Sequence, residues 1–188
     1  MNHAILGAIF HDYMDMKREA AKDHQDVPMM IFAAPNALDD NDEPIAALVI
    51  GDGGHSGLIG EALGELCTKL FIPHWTACCS DGYVAKASDF PELNDARPGD
   101  LQVLYEAGDP RVKEVLTITA LDKDGDMYAA SVTYWYDSDG DVWFDDIEVA
   151  RNDDAVQTEG GVVEAMRAVT SLHGLSTAEV LAKIANRN

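Results

Sequence analysis

Apolar residues recur at spacings of three and four through Ile5, Leu6, Ile9, Phe10, Tyr13 and Met14, which predicts an amphipathic helix with Asn2 as its cap. Helix-forming residues continue through Lys17, Arg18, Glu19 and Ala20, and the pattern fades near Asp26-Val27-Pro28. Two short apolar runs follow, Met29 to Ala33 and Ile45 to Ile50, each with the length of a buried strand. The turn between them is acidic, Asp39 to Pro44. Helical spacing returns from about Leu58 to Phe71 and stops at Pro73. His74 to Ser80 predicts a third strand, Asp81-Gly82 a turn, and Tyr83 to Ala87 a further short strand. Ser88 to Gly99 has the composition of a loop; Asp100 caps a short helix through Glu106, and Asp109-Pro110 starts one more helical turn.

The most regular stretch is Val115 to Val149. Two Asp-x-Asp-Gly-Asp turns, Asp122 to Asp126 and Asp137 to Asp141, stand fifteen residues apart between strand-like runs. They predict a three-stranded antiparallel meander: Leu116 to Leu121, Met127 to Tyr136, Val142 to Val149. Val162, Val163, Met166 and Val169 mark a later helix, and Ser176 with Glu179 forms a capping box for the last one. The order α-β-β-α-β-(β)-α-β-β-β-α-α implies a single α+β domain, 1–188. Its sheet is mixed or mainly antiparallel, ends in the meander and is covered by helices.

Charge adds the next constraint. The 188 residues carry 34 acidic and 13 basic side chains, a formal net charge of −21. Such a chain is repelled by nucleic acid phosphates and by anionic membranes, and it attracts basic partners. With 47% hydrophobic residues it is a globular domain rather than an acidic tail. Cys67, Cys78 and Cys79 match neither a disulfide framework nor a zinc site, so reduced thiols in a cytoplasmic protein are expected. No apolar run reaches the ~18 residues of a membrane span.

Candidate chemistry is sparse. Gly51-Asp52-Gly53-Gly54-His55-Ser56-Gly57 follows a strand and opens a helix, where backbone N–H groups can hold an anion. The third glycine comes one residue late for the dinucleotide fingerprint, no lysine makes it a P-loop, and Asp52 repels phosphate. A tight turn with Ser56 as helix cap accounts for the same residues. Leu58 occupies the place where a serine-hydrolase elbow needs glycine, and nothing places His74 or His173 beside Ser56. His74 and Cys78 share a strand face but lie ~13 Å apart, too far for an ion pair. From Asp137, acids fall at calcium-loop positions, but Val142 replaces the required glycine and hairpin turns favour the same residues. No metal and no cofactor are therefore expected.

Eight acids and one base, Arg151, lie between Asp137 and Asp154. Asp146 and Glu148 on one strand face would stand ~7 Å apart, near the spacing of successive phosphates, so a DNA-mimicking face is one alternative. Tyr134, Tyr136 and Trp143, beside Asp137, Asp139, Asp141, Asp145, Asp146 and Glu148, form the candidate partner-binding set, with Trp135 among them. Ser80 to Val84 and Leu101 to Leu116 resemble uncharacterised small proteins of actinobacteria and their bacteriophages. That resemblance carries no catalytic motif; it implies a cytoplasmic, phage- or bacterium-encoded protein. The leading expectation is a non-enzymatic acidic protein that binds a protein with a basic surface. A small-molecule or phosphate-binding protein, possibly enzymatic, that uses loop 51–57 is the other alternative. Oligomeric state is left open.

Overall fold

A computed structural model describes residues 2–23, 25–36, 46–50, 56–90, 100–151, 161–176, 178–180 and 182. Its elements, in order, are α1 (His3–Lys22), β1 (Met29–Ala34), β2 (Ala46–Ile50), α2 (Ser56–Lys69), β3 (Trp75–Val84), α3 (Asp100–Glu106), β4 (Lys113–Asp122), β5 (Met127–Tyr136), β6 (Val142–Phe144), β7 (Glu148–Arg151) and α4 (Gly161–Thr170). A 3-10 turn at Ala87–Asp89 follows β3. The strands form one open sheet in the order β2-β1-β3-β4-β5-β6, with β7 also on β5. Every pairing is antiparallel. The α+β expectation holds, and its mainly antiparallel form is the one found.

Strand alternation assigns the two faces. Ala77, Cys79, Leu116, Ile118, Ala120, Tyr128, Ala130 and Val132 face α1, whose Leu6, Ile9, Phe10, Tyr13 and Met14 complete that core. Cys78, Ile31, Leu121 and Met127 face the other way, toward Ile59 and Leu63 of α2 and Met166 and Val169 of α4. Asn2 caps α1 as expected, its side chain accepting from Ala4 N–H at 3.0 Å. The capping box is also present: Ser176 N–H and Oγ both reach Glu179, at 2.8 and 2.6 Å.

Three expectations are corrected. Asp81-Gly82 is not a turn: β3 runs unbroken from Trp75 to Val84, with Asp81 opposite Leu116 and Gly82 opposite Val115. Aspartate disfavours strands, but here its carboxylate is neutralised by a lysine from α1. The run Val142 to Val149 is not one strand: β6 and β7 pair separately with β5 and are interrupted at 145–147. Asp145 N–H donates to Thr133 C=O at 2.9 Å, and the Thr133 hydroxyl donates to the Asp145 carboxylate, fixing the interruption. Finally, Asp109-Pro110 makes a turn rather than a helical turn. Asp109 accepts from the Arg111 backbone N–H at 3.0 Å and holds the Arg111 guanidinium.

Both Asp-x-Asp-Gly-Asp turns are built alike. The leading carboxylate, Asp122 or Asp137, accepts from the backbone N–H groups two and four residues on, at 2.9–3.0 Å. Gly125 and Gly140 take φ of +88° and +86°, the left-handed conformation that closes such hairpins and that only glycine adopts cheaply.

Candidate functional site

The last residues of β5 send side chains to opposite sides of the sheet, and this divides the predicted set. Tyr134 points under α1 and is 4% exposed, so its place in the surface set is corrected: its ring is core. Its hydroxyl donates to Asp81 Oδ1 at 2.7 Å and lies 3.2 Å from Glu114 Oε1. Tyr105 of α3 donates to the other Glu114 oxygen at 2.6 Å. Lys17, fully buried, donates to Asp81 Oδ2 at 2.6 Å, and its ammonium lies over the Tyr134 ring at 4.8 Å.

Of this half-buried chain of Lys17, Asp81, Tyr134, Glu114 and Tyr105, the predicted set holds only Tyr134. Lys17 was legible in part, because it falls three residues after Met14 and four after Tyr13, in phase with the apolar stripe. Burial alone would lower the Lys17 pKa; the Asp81 contact outweighs it and holds the pKa above its ordinary value. Burial, then Asp81, pushes the Tyr134 hydroxyl far above the usual tyrosine range. With a lysine held charged and tyrosines held neutral, the arrangement anchors α1 to the sheet.

On the other side, Trp135 is 47% and Trp143 56% exposed, and the register sets them directly opposite each other across β5 and β6. The chain has three tryptophans, and the third, Trp75, is 2% exposed. The exposed pair is therefore not a consequence of a core too small to hold such rings. The Trp143 indole N–H donates to Asp137 Oδ2 at 2.8 Å, which orients the ring. That bond, reinforced by the backbone N–H groups of the turn, holds the Asp137 carboxyl below the usual range. Tyr136, 40% exposed at the strand end, belongs to the Tyr134 side instead: its ring centre lies 5.9 Å from that of Tyr134 and 5.8 Å from the Lys17 ammonium. Asp139, Asp141, Asp145, Asp146 and Glu148 are all exposed, with Glu148 opposite Ser131, four residues along β5 from Trp135. Because β6 stops at Phe144 and β7 begins at Glu148, Asp146 and Glu148 do not share one strand.

Of the glycine-rich loop, Gly51, Asp52, Gly53, Gly54 and His55 lie outside the described residues, and Ser56 and Gly57 begin α2. Burial pushes the Cys78 thiol up to about 12 and the Cys79 thiol further, so neither is an activated nucleophile. His74 and His173 meet edge to face, with ring centres 5.0 Å apart. Burial, then His173, lowers the His74 pKa. Among the described residues, no three His, Cys, Asp or Glu side chains gather closely enough to hold a metal ion. Among them, too, no helix is long and apolar enough to cross a membrane. Protein-family models, curated proteins and solved structures show no match to this chain.

Proposed function

We propose that this is a non-enzymatic binding protein whose partner is a protein with a basic surface, engaged through the aromatic and acidic end of the meander. The observation that carries the reading is the exposed cross-strand pair Trp135 and Trp143, the latter oriented by Asp137. Large exposed apolar rings invite an interface, and tryptophan is among the residues that dominate binding energy. The carboxylates around them supply the charge that selects and steers a cationic partner. A cytoplasmic, phage- or bacterium-encoded role fits this reading and belongs to the same proposal.

The test compares affinity capture by the wild-type chain and by the double variant Trp135→Ala/Trp143→Ala, each at low and moderate salt. A partner that is retained by the wild type, weakened by salt and lost from the double variant supports the reading. Capture that is identical for both chains, or absent at low salt, sinks it.

A further inference from the structure

Among the described residues the helices leave part of one sheet face open. α2 and α4 cluster with Ile31, Cys78, Leu121 and Met127. Toward the other end of the same face lies a groove of about 880 Å³, floored by β4 and β5 and walled by the 145–148 segment and the residues after β3. That volume is the size of a small-molecule site.

Its floor is polar and ordered. Thr117 is registered opposite Ser80 on one side and Ser131 on the other, and Ser131 is opposite Glu148. This sets three hydroxyls and a carboxylate in one row across four strands, of which Thr117, Ser131 and Glu148 line the groove. The Ser80 and Thr117 hydroxyls bond at 2.8 Å. One wall carries Asp146 and Glu148, both exposed and without an ion pair among the described residues; the opposite wall carries Lys86, in the same condition. The other two basic residues lining the groove are engaged: Lys113 with Asp145 at 3.7 Å, and Arg111 with Asp109 at 2.7 Å. Three of the 13 basic residues of a chain with charge −21 line this one groove.

The geometry points to a binding site for a small linear zwitterion. Its ammonium or guanidinium would meet Glu148 and Asp146, its carboxylate would meet Lys86, and its stem would run obliquely from the Ser131 end of the hydroxyl row past Thr133. β7 and β3 are three strand spacings apart, about 14 Å, and Lys86 lies six residues beyond Ser80 of the row, past the end of β3, so the span from Glu148 to Lys86 runs obliquely and exceeds that lateral distance. The flexible stem of Lys86 covers part of the span, and an extended linear ligand covers the rest. The site shares the 145–148 segment with the aromatic end but uses neither Trp135 nor Trp143, so it stands or falls separately from the proposed partner surface.

The test is titration by calorimetry and amide-shift NMR with 4-guanidinobutyrate, butylguanidinium and butyrate. 4-Guanidinobutyrate should bind saturably, shifting the amides of Thr117, Ser131 and Thr133, and at least about fivefold more tightly than either single-charge probe. Glu148→Gln should weaken both guanidinium probes, whereas Lys86→Gln should weaken 4-guanidinobutyrate and leave butylguanidinium unchanged. Both side chains are exposed, so neither variant threatens the fold. The proposal is overturned by the absence of saturable shifts up to about 10 mM, ten times a millimolar dissociation constant. Equal binding of all three probes, or binding indifferent to both substitutions, overturns it as well.

Discussion

Tyr134 and Trp135 are neighbours in the chain with opposite surroundings. Tyr134 faces Asp81, Glu114 and Lys17 beneath α1. Trp135 faces outward across from Trp143. The inward cluster is polar yet buried, so each group has to be satisfied by a partner, and removing one leaves another stranded. The outward pair is apolar yet exposed, so its removal strands nothing. Stability therefore belongs to the first cluster and recognition to the second, although one strand end builds both.

The sharpest break of that comparison is Asp81→Ala. It leaves the fully buried Lys17 ammonium with no close carboxylate among the described residues but Asp26, 3.7 Å away and itself highly exposed. We expect a loss of about 3–5 kcal/mol in urea unfolding, the range for removing one partner of a buried pair. Lys17→Met combined with Asp81→Leu should recover most of that loss, because no buried charge remains. A double variant as unstable as the single one would show that the pair does more than satisfy itself.

Alkaline pH probes the same cluster more gently. Burial raises the Tyr13 and Tyr134 hydroxyls above their ordinary 10.0, and Asp81, against burial, raises Lys17 above 10.5. In each case the folded chain keeps a proton that the unfolded chain gives up. The associated stability is complete below about pH 10 and is lost as pH rises from there. Each such group steepens the decline by about 1.4 kcal/mol per pH unit. Tyr134→Phe should cost about 1–2 kcal/mol at neutral pH and make the decline above pH 10 visibly shallower. An unchanged slope would mean that Tyr134 ionises in the folded protein as freely as in the unfolded one.

The turns test how local the signals are. Gly125→Ala and Gly140→Ala should each cost about 1 kcal/mol, because both positions hold left-handed backbone. A large difference between the two would show that strand context, not the turn itself, sets the cost. These turns were legible from sequence because their residues satisfy one another within five positions, as were the α1 stripe and its Asn2 cap. Asp81 was misread for the converse reason: its strand placement depends on Lys17, 64 residues away, and local composition says only that Asp-Gly favours a turn. The interruption between β6 and β7 was hidden because the Thr133 to Asp145 contact that fixes it joins two strands. Tyr134 and Trp135 show the limit at the site itself. Alternation places them on opposite faces, but not which face α1 covers. The groove's hydroxyl row was hidden likewise, since register aligns residues from four separate strands.

The smallest expected effect on stability is also the most discriminating. Trp135→Ala/Trp143→Ala removes two rings that are about half exposed and frees the Asp137 oxygen that Trp143 occupies, a carboxylate still bound to Asp139 and Asp141 N–H groups. Unfolding free energy should change by no more than about 1 kcal/mol, because the remaining contacts of the turn are backbone bonds and surface changes are cheap. Partner capture should instead fall by more than tenfold, since truncating a central interface tryptophan costs about 2 kcal/mol or more. A double variant that lost stability as Asp81→Ala does, while keeping its partner, would reverse the assignment of the two faces of β5.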